Sequence, residues 1–360
     1  MADPAIGSAS NGSAWPSLNV HVWTLAGLRP RVYHPPALIP APTDWFARRT
    51  FHHRQFPADE LVTAKQERGL VVSVCIPALN EQETIGPIVR TIRTELVERI
   101  PLVDELALID SSSSDRTAAE AEAAGARVIQ DREVVPDIPP LSGKGEALWK
   151  SLFTLRGDVI LWLDADIRNF DPRFVCGPLG PVLTDPGVGY VKSFYRRPID
   201  QGLGLATLEG GRVTELVARP LINLFWPHLA GLIQPLAGEY AGRRDVLEQV
   251  PFFTGYGVEM GLLIDVTTRF GVEVMAQVDL EERVHRNRGL DELSRMSFAV
   301  LSAALRRLAE RHGVDVSPAA AMYQFAKDER GYRMEPTEIE VRERPPAVTV
   351  AGYPTRRAAR

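Results

Sequence analysis

Two aspartates separated by one alanine, Asp164-Ala165-Asp166, follow the apolar run Val159-Ile160-Leu161-Trp162-Leu163. Alternate residues of an extended backbone share a face, so a short turn can aim both carboxylates into one crevice. Hard oxygen donors of this kind suit Mg²⁺ or Mn²⁺ beside a diphosphate, whose charge the cation would offset. The triplet alone is also a common solvated turn after a strand, so its weight depends on what else reaches the same place. Pro77-Ala78-Leu79-Asn80-Glu81 and Asp110-Ser111 each follow an apolar run of their own. Gly143-Lys144-Gly145-Glu146-Ala147-Leu148 sets one cation between two glycines. It lacks the Walker spacing and the following Ser or Thr, and Lys144 can instead reach a phosphate, or a sugar near a reacting bond.

The elements that must carry these groups alternate. Val71 to Ile76 reads as a buried strand ended by Pro77, and Ile85, Ile88, Val89, Ile92 and Leu96 recur with helical spacing. Glu81 and Glu83 lie near that helix start, where acidic groups complement free backbone donors, so Glu81 can stabilise the helix or meet a ligand. Glu105 to Ile109 predicts a second strand, an Ala-rich helix runs through Ala124, and Gly125 stops it before a strand at Ala126 to Ile129. A helix over Glu146 to Thr154 and a strand over Asp158 to Leu163 follow. Such alternation predicts an α/β fold with a mostly parallel sheet, whose ligand crevice lies at the carboxyl ends of the strands, where every polar cluster above falls.

Later segments are more mixed. A helix bent near Pro220 is predicted over 209–225, a second over 256–269, a strand over Val272 to Val278 and a third helix over 291–312. Residues 1–65 read as an extended N-terminal arm, rich in proline but anchored by aromatic residues such as Trp15, Trp23, Trp45 and Phe46; residues 328–360 read as a loosely packed tail. Between them, 66–200 form the first catalytic region and 201–327 the second.

Bulk properties exclude more than they assign. The chain has 360 residues and a formal net charge of −5, which gives no general attraction for nucleic acid or for an anionic membrane. Its two cysteines, Cys75 and Cys176, argue against a disulfide scaffold or a Cys-rich zinc site and fit a reducing cytoplasm. No segment is an uninterrupted membrane span, and the start lacks the basic and apolar regions of a signal peptide. Trp149, Trp162 and Cys75 read as core residues.

Pro77 to Glu81, Asp110-Ser111 and the Asp triplet together resemble the nucleotide-binding half of the GT-A glycosyltransferases. Adding Gly143 to Leu148, Val191-Lys192-Ser193-Phe194-Tyr195-Arg196-Arg197-Pro198, Gly210-Gly211-Arg212-Val213-Thr214-Glu215, Gly238-Glu239-Tyr240, Gly255-Tyr256-Gly257-Val258-Glu259 and His285-Arg286-Asn287, the chain resembles the actinobacterial glucosyl- or mannosyl-3-phosphoglycerate synthases. The resemblance implies a Rossmann-like nucleotide-binding half, a mixed α/β acceptor lobe, and retaining transfer of a hexose to D-3-phosphoglycerate. It puts Pro77, Ala78, Leu79, Glu81, Ser111, Lys144, Asp164 and Asp166 on the nucleotide-sugar donor, and Gly211, Arg212, Thr214 and Asn287 on the acceptor. Tyr256 and Glu259 then meet the transferred sugar, Asp166 and His285 hold Mg²⁺ or Mn²⁺, and Lys144, Asp166 and Glu259 form the catalytic set.

The residue chemistry agrees in part. Arg212 offers a planar fork for phosphate, glycine permits close approach, and Thr214 adds a hydroxyl, although a solvated Arg at a helix start has the same pattern. Glu259 suits sugar positioning better than a base, since same-face attack lets the departing phosphate oxygen take the proton. Lys192, Arg196, Arg197, Arg283, Arg286 and Arg288 read equally as a positive field and as a solvated edge. Glucosyl members commonly carry Gly after the first Ser of the Asp110-Ser111 turn, whereas this chain has Ser112. That departure favours GDP-mannose as donor, with UDP-glucose the alternative. Transfer to a polyprenyl phosphate and simple nucleotide-sugar binding are the other readings, and a homodimer is expected.

Overall fold

The computed structural model describes residues 43–197, 211–284, 289–313, 315, 319–328, 331–339 and 341–353. Their strands are β1 (Thr50–His52), β2 (Val72–Ala78), β3 (Glu105–Asp110), β4 (Arg127–Gln130), β5 (Val159–Trp162), β6 (Tyr190–Arg196), β7 (Tyr240–Arg243), β8 (Phe252–Phe253), β9 (Met275–Glu282), β10 (Ala321–Asp328), β11 (Gly331–Glu338) and β12 (Glu343–Arg344). The helices are α1 (Thr43–Arg49), α2 (Ala58–Glu67), α3 (Ile85–Ile92), α4 (Thr117–Ala123), α5 (Lys144–Thr154), α6 (Arg173–Thr184), α7 (Arg219–Phe225), α8 (Arg244–Leu247), α9 (Val258–Phe270) and α10 (Leu290–His312).

Eight strands make one sheet in the order β1-β9-β6-β7-β5-β2-β3-β4. Every pairing is parallel except those of β7, which runs antiparallel to both β5 and β6. The predicted strands read as continuous apolar runs because both faces are covered. Cys75, Ala107, Ile109, Ile160 and Trp162 enter one core with α5 and α9. Their alternating neighbours Val74, Ile76, Leu106, Leu108 and Leu161 enter the other, with α3 and α6. Trp149, Trp162 and Cys75 are all fully buried.

Several boundaries differ from expectation. Residues 43–65, assigned to an extended arm, instead form α1, β1 and most of α2; Trp45 is buried and its indole N–H donates to Val272 O at 2.9 Å. The strand expected from Val272 begins at Met275, after one helical turn that follows Gly271. The helix expected over 209–225 is wound more widely over Thr214–Ala218 before α7.

Residues 341–353, expected in a loose tail, are packed. β12 pairs antiparallel with β8, and Trp149 Nε1 donates to Pro345 O at 2.8 Å. Arg344 donates to both oxygens of the fully buried Glu146 at 2.6 and 2.7 Å, which ties this segment to the first turn of α5. Residues 1–42, 198–210 and 354–360 lie outside the described residues. Among those described, no helix is long and apolar enough to cross a membrane.

Candidate active site

The loops after β2, β3 and β5 are laced together at the carboxyl edge of the sheet. Ser111 N donates to Ala78 O at 3.0 Å, Ser114 N to Asn80 Oδ1 at 2.8 Å, and Glu81 N to Thr117 Oγ1 at 2.7 Å. The Thr84 hydroxyl donates to Ala165 O at 2.6 Å, binding the first loop to the Asp triplet. Pro77 and Ala78 end β2, Leu79 is exposed, and Glu81 and Ser111 are half-buried at the same edge. Ser112 takes a left-handed φ of 67°, a conformation that favours glycine.

Lys144 opens α5. Gly145 lets that helix approach β8, since a Cβ there would stand 1.8 Å from Phe253 O. The Lys144 ammonium consequently reaches Asp164 Oδ1 at 2.6 Å and Glu259 Oε1 at 2.9 Å. Burial alone would pull the Lys144 pKa down, but the two carboxylates hold it well above the usual lysine range. Burial likewise opposes ionisation of Asp164, yet Lys144 and Arg283 hold its carboxyl well below the ordinary value.

The antiparallel course of β7 brings in residues whose roles the local sequence did not reveal. Tyr240, its first residue, pairs with Trp162 of β5 and Lys192 of β6, so Gly238 and Glu239 arrive beside Asp164. The fit is close: a Cβ on Gly238 would stand 1.9 Å from Asp164 Oδ2. Lys192 is buried rather than solvated; its ammonium bonds Ala237 O and lies 4.1 Å from the Tyr240 ring centroid. Burial draws its pKa down to about 7, against attraction from Glu259.

Arg283, just after β9, is buried too. Its Nη2 contacts Asp166 Oδ1 and lies 3.1 Å from Asp164 Oδ2, while Nη1 lies 3.2 Å from Glu239 Oε1. The reading of Arg283 as a solvated edge is thereby corrected, because strand pairing carries it inward at the acidic cluster. Gly238-Glu239-Tyr240 stands out in the sequence as a motif, but only β7 pairing decides what Glu239 faces.

Gly211 begins the turn that leads to Thr214. A Cβ on Gly211 would be 2.8 Å from Arg197 Nη1, and the buried Thr214 hydroxyl lies near that same point. Arg197 in turn donates to the Tyr195 hydroxyl, which also receives Arg283 at 2.8 Å, and it acts electrostatically on Asp164. Arg212 is exposed on the same turn. Gly211 and Thr214 thus border Arg197, whose charge acts on Asp164, and with Arg212 on the same turn the setting is cationic and suited to an anion. Tyr256 is partly exposed in the turn before Glu259. His285 and Asn287, with Arg286 and Arg288, lie outside the described residues.

Asp164 and Asp166 fit a divalent cation chemically: both are carboxylates just past one strand end, and carboxylate oxygens are the hard donors that Mg²⁺ and Mn²⁺ take. Away from that pair, His52, His53 and Glu281 form a close trio of possible ligands. It suits a metal poorly, because His52 Nδ1 accepts from Arg54 N, which leaves the proton of a neutral ring on Nε2, and Arg54 already holds Glu281.

A model of the family described as Glycosyl transferase family 2 matches residues 73–200. Glucosyl-3-phosphoglycerate synthase of Petrotoga mobilis is 46% identical over 316 residues, covering 86% of this chain and 96% of that protein. Mannosyl-3-phosphoglycerate synthase of Rubrobacter xylanophilus superposes with a TM-score of 0.78 at 42% identity, over 85% of this chain and 97% of its own. Glucosyl-3-phosphoglycerate synthase of Mycobacterium tuberculosis, solved with Mn²⁺, UDP and phosphoglyceric acid, gives 0.73 at 42% identity, over 83% and 97%.

Proposed function

This chain belongs to the glucosyl- and mannosyl-3-phosphoglycerate synthase family of glycosyltransferases, and from that premise we propose that it transfers glucose from UDP-glucose to the hydroxyl of D-3-phosphoglycerate. Mg²⁺ or Mn²⁺ is the cofactor in this reading, held by Asp166 with His285, and would supply charge neutralisation to the departing diphosphate. The observation that carries the proposal is Lys144 clamped between Asp164 and Glu259, with the Gly211–Thr214 turn bordering Arg197, whose charge acts on Asp164.

Each group then has a task. The loops ending at Leu79, Glu81 and Ser111 hold the nucleoside, and Asp164 and Asp166 face its ribose and diphosphate. Gly211, Arg212, Thr214 and Asn287 hold the acceptor phosphate, which orients the hydroxyl. Tyr256 and Glu259 position the hexose. Lys144 stabilises negative charge as the bond from the anomeric carbon to the diphosphate breaks. The new bond to the acceptor oxygen forms on that same face, and the leaving phosphate oxygen takes the hydroxyl proton, so configuration is retained.

Ser112 does not argue against a uridine pocket. Its position is left-handed, so the advantage of glycine there is conformational, and serine adopts the same backbone. A second reading, GDP-mannose as donor, accords with the likeness to a mannosyl-3-phosphoglycerate synthase. A homodimer belongs to the proposal as well, with the exposed Tyr323, Phe325, Tyr332 and Met334 of the β10–β11 hairpin offering an apolar face to a second copy. The buried free thiols Cys75 and Cys176 suit the proposed cytoplasmic setting.

The test pairs UDP-glucose and GDP-mannose separately with D-3-phosphoglycerate and Mg²⁺ or Mn²⁺, detecting nucleoside diphosphate and product by mass spectrometry. Glucosylphosphoglycerate as the faster product, lost in Asp166→Ala, is expected. Faster mannosyl transfer would move the donor to the second reading. Absence of either product alongside transfer to a polyprenyl phosphate would overturn the acceptor assignment.

A further inference from the structure

One guanidinium faces three carboxylates. Arg283 meets Asp166 and Asp164 through Nη2 and Glu239 through Nη1, and its side chain is only 3% exposed. Because an arginine does not give up its proton, this charge remains wherever the side chain is placed. The Glu239 side chain is fully buried, with Arg283 as the cation beside it. Its partners are that same guanidinium, already engaged by the aspartates, and the Tyr195 hydroxyl.

We propose that Glu239 and the Asp164–Asp166 pair compete for Arg283, Glu239 drawing the guanidinium off the aspartates when a divalent cation binds them. Two features carry this. A cation on Asp166 meets a fixed positive charge already in contact with that carboxylate, so the guanidinium must yield for the cation to bind well. Glu239 Oε1 is 3.2 Å from the other arm of the same guanidinium, so a small rotation trades contacts with two half-buried aspartates for one with a fully buried glutamate. Arg283 and Glu239 are thus positioning residues for the metal ligand, and the inference rests on Asp166 being that ligand.

The test is equilibrium Mn²⁺ binding to the full chain, followed by the electron paramagnetic resonance of free Mn²⁺ without nucleotide. Arg283→Gln should bind Mn²⁺ at least threefold more tightly than the native chain, and Glu239→Gln at least threefold more weakly. A merely structural role moves both affinities downward, and that outcome, or no change in either, overturns the proposal. Asp166→Ala separates the two levels: undiminished binding there removes the underlying reading, whereas lost binding with the wrong signs removes this inference alone. Should Arg283→Gln fail to fold, the Arg283 side-chain N–H resonance of the native chain, assigned by Arg283→Lys, decides. It should shift as Mg²⁺ is added, and a resonance unmoved at saturation overturns the proposal.

Discussion

Lys144 Nζ stands 2.9 Å from Glu259 Oε1, so the first residue of α5 and the second residue of α9 share one ion pair. Both helix starts border β8, which precedes the turn into α9 and leaves its Phe253 carbonyl against Gly145. Replacing Lys144 by Met keeps much of the stem and removes the charge. Turnover is expected to fall about 10²- to 10³-fold, the usual loss on removing one fixed electrostatic stabiliser. Steady-state kinetics with saturating donor and acceptor checks this.

Arg212→Ala should weaken use of phosphoglycerate more than it slows turnover. A charge-assisted phosphate contact of about 1.5–3 kcal/mol corresponds to roughly a 10- to 100-fold rise in acceptor KM. An unchanged acceptor dependence would remove Arg212 from the acceptor site.

Ser112→Gly relieves a left-handed serine at φ 67°. The variant should be more stable by up to about 1 kcal/mol, the gain being reduced by the greater unfolded-state freedom of glycine. Its ratio of UDP-glucose to GDP-mannose activity should stay the same. A changed ratio would show that this side chain reads the base.

Arg344→Gln removes the two-pronged partner of buried Glu146, leaving Lys150 at 3.2 Å as its cation. Destabilisation of about 1.5–3 kcal/mol is expected from the lost charge-assisted hydrogen bonds. Urea denaturation measures it, and a loss below about 0.5 kcal/mol would mean that the 341–353 segment contributes little to the fold.

Lys192 gives a pH dependence of definite sign. Its folded pKa is lowered from 10.5 to about 7 by burial, so between these values the unfolded chain binds more protons than the folded one. Stability contributed through this group therefore rises with pH across that window, by up to about 1.4 kcal/mol per unit. Relative to the native chain, Lys192→Met should consequently be more favoured at pH 6.5 than at pH 9.5. Denaturation curves at both values check it; a gap that is constant or wider at high pH would contradict the buried, easily neutralised lysine.

Residues near one another in sequence already determined much of this molecule. Uninterrupted apolar runs marked β2, β3 and β5 because a strand covered on both faces needs apolar residues at every position. Local polarity after each run placed Glu81, Ser111 and Asp164 at one edge, and the glycines around Lys144 singled out that cation. The tertiary structure decided the rest, because pairing between distant segments leaves little local trace. Only insertion of β7 between β5 and β6 brings Glu239 beside Asp164, and only the end of β9 turns Arg283 inward onto the triplet. For the same reason Lys192 and Arg344, which look like solvated charges in a linear reading, are buried: what surrounds a side chain depends on which strands become neighbours, and strand order is a property of the whole chain.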